Sequence, residues 1–364
     1  MTPEVRALGQ IWRARLGRLL PGGSSGDENG DADIQQRLEE LLLGGSRRYS
    51  RAQLIEQASV DADLTKRIWR SLGFAEVGDD EVVFTDGDRQ ALRTWEDLRA
   101  DGLVPAQIED SVARSVGQAM SGLADWQVET IYQLVDHGHD EIDERELMEI
   151  AARILPLMRQ MQSYIWRRQL AAAAGRLLTG HPHNSQTRSL VVGFADMVDF
   201  TKASHQLSLA GLAELIEQFH RTSNEVVASC RGRVVKTVGD EVLFTTSEAP
   251  DGAEIALALL EQLAATPGLP ELRIGLAVGP VVTRFGDVYG EPVNIAARLT
   301  SHARPGRILV DRNLAAALED DDRFTLRGRR PLAVRGYRHL LPWELSRSKR
   351  RSTPGSSPGD PDRA

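Results

Sequence analysis

Two aspartates stand where strand-like runs end. In "SLVVGFADMV" Asp196 follows an apolar run of strand character, and in "VVKTVGDEVLF" Asp240 sits in the tight Gly-Asp turn of an expected hairpin. An unpaired carboxylate taken out of water costs several kcal/mol, so a charge carried on a buried strand needs a partner. Two carboxylates on adjacent strands, with water around them, are what one or two Mg²⁺ ions bind together with the phosphates of a substrate. Asp240 alone also fits ordinary turn chemistry; Asp196 has less claim to that explanation. Downstream, "GDVYGEPVNIAARL" adds Asp287, Tyr289, Asn294 and Arg298. Asn294 and Arg298 are four apart on an expected helix, so they share one face; turned toward the interior such a pair is unusual for packing alone, and an ordinary surface helix is the alternative reading.

The elements that must position these residues begin near residue 188. Valine-rich runs, "SLVVGFADMV", "RVVKTVGDEVLFTT", "LRIGLAVGPVV" and "RILV", alternate with helical segments at Leu207 to Cys230, Gly252 to Ala265 and Glu291 to Ala303. The order strand, helix, hairpin, helix, strand is the ferredoxin-like βαββαβ arrangement, with further elements appended. It puts the first strand in the centre and lets it neighbour the hairpin, so that Asp196 and Asp240 converge. Ahead of this region the pattern is helical. "DIQQRLEELLLGG" ends on two glycines as a C-cap does, Ser50 and Asp61 read as N-caps, Pro156 marks a kink or break, and strand character is confined to "EVVFT" at Glu81 to Thr85. Pro21 to Asp33 reads as a flexible loop. The fold class is therefore α+β, with an all-α domain at 1–178, a linker at 179–188, a ferredoxin-like domain at 189–345 and a disordered tail at 346–364.

Composition bounds the rest. A chain of 364 residues accommodates two cores. Mean hydropathy is −0.30, and no apolar run approaches the roughly 20 residues that span a bilayer. Arg6, Arg13, Arg15 and Arg18 interrupt the N-terminus where a signal peptide needs an apolar core, so an amphipathic helix of a cytoplasmic protein is expected, with peripheral lipid contact left open. The net charge of −8 argues against a nucleic-acid partner. Cys230 is the single cysteine, which excludes an intrachain disulfide and a cysteine-built zinc site.

The segments "FADMVDFT", "VVKTVGDEVLF" and "GDVYGEPVNIAARL" resemble the three signature blocks of the class III nucleotidyl cyclases, in order and at fitting separations. The resemblance implies an adenylyl cyclase that converts ATP to 3′,5′-cyclic AMP and pyrophosphate with two Mg²⁺ or Mn²⁺ ions per site. Carried over by position, it makes Asp196 and Asp240 the metal carboxylates, with the Met197 carbonyl as a further ligand. It assigns base recognition to Lys236 and Asp287, ribose orientation to Asn294, and stabilisation of the α-phosphate to Arg298. A late triphosphate contact, usually a lysine in the family, becomes Arg335 in "AVRGYRH", with Arg338 as its rival. An ammonium only donates and a carboxylate only accepts, so Lys236 suits adenine N1 and Asp287 the adenine amino group, whereas guanine presents the reverse pattern. Family members assemble the site across a dimer, which implies a homodimer here. All six positions keep the required chemistry, which disfavours a cyclase fold used only for binding.

The helical half admits two readings. Residues 49–100 loosely resemble the helix-turn-helix region of MerR-type regulators. Seven Lys and Arg against eleven Asp and Glu between Ser50 and Ala100 make that stretch a poor phosphate binder, so a regulatory module is preferred. An all-helical half joined to a cyclase half is similar to the actinobacterial pH-sensing adenylyl cyclases. His137, His139, His181 and His183 are then the candidate sensors, and Leu147 to Leu178 the transmitting helix.

Overall fold

The computed structural model describes residues 28–58, 60–135, 144–179, 187–334 and 337–348. The expected basic N-terminal helix, the four candidate histidines, Arg335 and most of the expected tail lie outside them. The chain divides after Gly175 into two compact units.

The first unit is helical. Its elements are α1 (Glu28–Leu43), α2 (Arg51–Ala58), α3 (Ala62–Ser71), α4 (Asp86–Ala100), α5 (Glu109–Val135) and α6 (Glu144–Thr179), which runs on past the unit's boundary. Asp61 caps α3 by accepting from the Leu64 N–H at 2.7 Å, and Ser50 and Gln53 cap α2 reciprocally. Thr85 and Asp88 form a capping box on α4. The only strand-like feature among the described residues of this unit is an isolated bridge between Tyr49 and Phe84. Two expectations change. The first helix starts at Glu28, inside the expected loop, because a first turn tolerates acidic residues at the positive end of the helix dipole. The last helix passes through Pro156 unbroken. Most basic side chains of the helix-turn-helix candidate are tied to carboxylates: Arg51 to Asp79, Arg67 to Glu109 and Asp110, Arg70 to Glu76, Arg89 to Asp86 and Arg99 to Glu96. That pairing further weakens any phosphate-binding face.

The second unit is built on one mixed sheet. In chain order its elements are β1 (Thr187–Met197), α7 (Phe200–Gln206), α8 (Leu209–Ser229), β2 (Arg233–Val238), β3 (Glu241–Thr246), α9 (Ala249–Ala264), β4 (Leu272–Arg284), β5 (Asp287–Tyr289), α10 (Glu291–His302), β6 (Arg307–Val310), α11 (Arg312–Ala317), β7 (Phe324–Gly328), β8 (Leu332–Val334), β9 (Tyr337–Leu340) and β10 (Trp343–Arg347). The sheet order is β2-β3-β1-β4-β6-β10-β7, with β5 folded back on β4. Its first four strands are the ferredoxin-like core, β1 antiparallel to both β3 and β4. β8 and β9 form a separate ribbon. The sheet extends into the expected tail, since Ser346 and Arg347 pair with Thr325 and Phe324, and Arg347 is held by Glu254 and Glu261 of α9.

Side chains alternate across the sheet, so each strand feeds two cores. Val191, Ala195 and Met197 of β1 join Phe219, Ile255, Leu259 and Leu314 in the larger core, under α8, α9 and α11. Val192 and Phe194 join Leu243, Ala277 and Ala296 in the smaller one, under α10. Asp196 shares the parity of Val192 and Phe194 and so emerges on the α10 side. Burial on both faces explains why the central strands read as nearly continuous apolar runs. Each fully buried side chain of the size of Ile274 or Phe219 contributes about 2 kcal/mol.

Gly275 lets α10 lie directly on β4. A Cβ there would fall 2.3 Å from the Thr300 nitrogen and 2.4 Å from the Ala296 carbonyl, both backbone atoms that cannot rotate aside. Gly275→Ala is expected to destabilise the second unit by about 3 kcal/mol, read as a lower urea midpoint. An unchanged midpoint would show that the helix does not depend on this close approach.

Candidate active site

The register of the central strands brings the first group of expected site residues together. Asp196 lies opposite Glu241 on β3 and opposite Arg273 on β4. The turn between β2 and β3 needs the left-handed backbone of Gly239, φ 61°, and Asp240 follows it. Two bonds hold that turn from outside: the Met197 N–H donates to the Asp240 carbonyl at 3.1 Å, and a His220 ring N–H on α8 donates to the Gly239 carbonyl at 3.2 Å. Asp196 and Asp240 therefore sit at the same end of the sheet, as the ferredoxin-like order requires, with the Met197 backbone between them.

The Asp196 side chain is only 13% exposed, and Arg273 Nε donates to its Oδ2 at 2.6 Å. This ion pair offsets the cost of the buried charge. Arg273 was not among the sequence candidates, although one arginine in the apolar strand "LRIGLAVG" is the signal that could have found it. Glu241 was missed for the opposite reason, since it reads as an ordinary residue after a turn. Burial first, then the neighbouring Asp196 and Asp240 carboxylates, push the Glu241 carboxyl up to about 7, against the pull of Arg273 and Lys236.

Asp199, in the run "FADMVDFT", reads from the sequence as a capping residue ahead of the next helix, and the structure differs. It stands at the N-cap position of α7, but its φ of 57° is left-handed and its side chain makes no capping bond. A capping side chain normally springs from extended backbone, which aims its oxygen at the N–H groups of the first turn. Asp199 instead lines an open pocket of about 590 Å³ beside Met197, Asp240 and Arg273, with Lys202 and His205 of α7 on its edge.

The second group of expected residues lies on β2, β5 and α10. Lys236 of β2 donates from Nζ to Oδ2 of Asp287 on β5 at 2.5 Å, and Arg233 ties the same two strands through the Gly286 carbonyl. Asn294 and Arg298 share a face of α10, but that face is exposed; the helix buries Pro292, Ala296, Leu299 and Thr300 instead. Of the two orientations the sequence leaves open, the surface one is found, because the sheet side is filled by the small residues that the close approach at Gly275 requires. Tyr289 is 54% exposed. Arg338 lies on β9.

Oxygen donors of this kind fit a hard divalent cation. Among the described residues no three His, Cys, Asp or Glu side chains form a ready metal cage. That suits an ion held by one or two carboxylates and completed by substrate phosphates. The raised Glu241 carboxyl has a measurable consequence. A carboxyl whose folded pKa is raised contributes stability below about pH 4.5, and that contribution is lost as the pH rises through about 7. In metal-free protein, Glu241→Gln is therefore expected to gain in urea midpoint over the native chain progressively from pH 4.5 to 7. A difference that stays constant with pH would contradict the shift.

Residues 183–347 match the family model for the adenylate and guanylate cyclase catalytic domain. The chain is 41% identical over 301 residues to an adenylate cyclase of Streptomyces coelicolor, covering 82% of this chain and 78% of that one. It is 36% identical over 332 residues to an adenylate cyclase of Glutamicibacter nicotianae, covering 86% and 82%. It is 30% identical over 338 residues to a pH-sensitive adenylate cyclase of Mycobacterium tuberculosis, covering 89% and 84%. These similarities extend across both units, so the likeness includes the helical half. With the ferredoxin-like core and its paired carboxylates in view, the chain belongs to the class III adenylate cyclases.

Proposed function

We propose that the chain converts ATP to 3′,5′-cyclic AMP and pyrophosphate in sites shared between two copies. The observation that carries this reading is the convergence of Asp196 and Asp240 at one end of β1, while the Lys236–Asp287 pair forms on β2 and β5. In this reading Asp196, Asp240 and the Met197 carbonyl hold two divalent ions, Mg²⁺ or Mn²⁺. When bound, these ions lower the pKa of the ribose 3′-hydroxyl and offset charge on the leaving group.

The remaining steps belong to the chain's own groups. Lys236 and Asp287 present a donor and an acceptor 2.5 Å apart, which matches neighbouring N1 and amino positions on the adenine edge. Asn294 orients the ribose so that its 3′ oxygen lies in line with the bond between the α-phosphorus and the bridging oxygen. As the new P–O bond forms and that bridging bond breaks, Arg298 stabilises charge on the α-phosphate oxygens. Arg335 is assigned to the triphosphate from the sequence resemblance alone. Asn294 and Arg298 are exposed on α10, which leaves them open to use by a second copy. Exposed Val238, Val282, Phe285 and Tyr289, neighbours of Lys236 and Asp287 in sequence and strand register, supply apolar surface for that contact.

Regulation by the helical half, with pH as its signal, is supported by similarity to the pH-sensitive relative over nearly the full chain. Among the described residues no helix is long and apolar enough to cross a membrane.

The composite site predicts complementation. Asp196→Ala and Arg298→Ala are each expected to lose activity by about 10²-fold or more, and mixing them should restore one intact site per heterodimer. Mixed, exchanging dimers that stay inactive would rule out shared sites. Asp287→Asn puts a donor where adenine requires an acceptor, and is expected to lower the ATP-over-GTP ratio of kcat/KM by about tenfold.

A further inference from the structure

The pocket beside Asp240 has a cationic edge to which nothing above assigns a role. Lys202 and His205 are three apart on α7, so their side chains share a face, and both line this pocket together with Met197, Asp240 and Arg273. Both are exposed, and neither side chain forms a hydrogen bond or ion pair with a described residue. That sets them apart from Arg273, the guanidinium that lines the same pocket, which is taken by Asp196. Asp199 and Asp240 line the same pocket and can only accept, so Lys202 and His205 supply hydrogen-bond donors on its α7 edge.

We propose that Lys202 and His205 form a seat for condensed phosphate, holding the β- and γ-phosphates of the substrate and then the departing pyrophosphate. The inference rests on the cyclase reading for the direction of the substrate. If the α-phosphate lies at Asp196 and Asp240, the two outer phosphates leave the carboxylates along this pocket. Oxygens not covered by metal then need donors from the protein, because the carboxylates present there can only accept. A lysine supplies a compact point charge and an imidazole a directed N–H, both suited to terminal phosphate oxygens. α7 starts three residues after the strand that carries Asp196 and Met197, so the seat is set against the metal end by a connection of Val198 and Asp199 alone. Gripping the leaving group makes these residues determinants of substrate affinity and product release, distinct from Arg298 at the reacting phosphorus.

The test uses the full chain as native protein, Lys202→Ala, His205→Ala, the double variant and the charge-keeping Lys202→Arg. Binding of Mg²⁺–pyrophosphate is followed by calorimetry, and KM for ATP and pyrophosphate inhibition by cyclic AMP formation. The double variant is expected to weaken pyrophosphate binding and inhibition by about tenfold or more and to raise KM for ATP in parallel, with Lys202→Arg near native. Equal pyrophosphate binding in native and double-variant protein, with circular dichroism unchanged, overturns the seat. Calorimetry separates this from the cyclase reading: native protein that binds pyrophosphate through Lys202 but forms no cyclic AMP keeps the seat and loses the reading. Native protein that forms cyclic AMP while the variants bind pyrophosphate normally does the reverse. Both side chains are exposed, so their removal leaves the core intact; should the double variant unfold, Lys202→Gln gives the same comparison with the amphipathic stem retained.

Discussion

Repulsion among carboxylates at the end of β1 is the constraint around which the second unit is arranged. Register sets Asp196 against Glu241, the turn places Asp240 beside Met197, and the left-handed backbone of Asp199 adds another acid to the pocket edge. Arg273 balances part of this charge through Asp196, and the Glu241 carboxyl is pushed up first by burial and then by Asp196 and Asp240. A site of this kind has a strong electrostatic preference for added cations. Holding like charges together requires rigid backbone, which the central strands and the two bonds to the β2–β3 turn provide.

The same sheet carries the complementary chemistry on other elements. Parity sends Asp196 toward the α10 side, and the Lys236–Asp287 pair is fixed by the bond between β2 and β5. α10 is drawn onto β4 by small residues, so its larger polar side chains Asn294 and Arg298 face outward. One unit thus presents the Asp196 carboxylate, the Lys236–Asp287 pair and the exposed Asn294 and Arg298. In the proposed composite site, two copies related by a twofold axis would bring these groups together through a single surface.

Much of this arrangement was legible in the sequence for physical reasons. The shift from helical periodicity to valine-rich runs marks the change of architecture, and the strand-helix-hairpin-helix-strand order dictates which strands neighbour β1. Asp61 and Ser50 were readable as caps because capping is local. The misreadings share the opposite property. Asp199 has the residue type of a cap, but the left-handed backbone at the exit from β1 turns it away from that role. Arg273 was passed over because its partner lies 77 residues earlier and is reached only through strand pairing. The outward face of Asn294 and Arg298 follows from the contact of Gly275 with α10, which no local pattern encodes. The strand at Ser346 and Arg347 lay hidden in a polar stretch because its anchors, Glu254 and Glu261, are on α9.

The central claim is that the carboxylates of β1 and the β2–β3 turn serve ATP cyclisation. Its most direct test is cyclic nucleotide formation by the purified chain supplied with Mn²⁺ or Mg²⁺ and either ATP or GTP, beside the Asp240→Asn variant. The account predicts cyclic AMP from ATP, little cyclic GMP from GTP, and loss of activity by about 10²-fold or more in the variant with its fold retained. A native chain that forms no cyclic AMP with either metal, or an Asp240→Asn variant as active as the native chain, would contradict it.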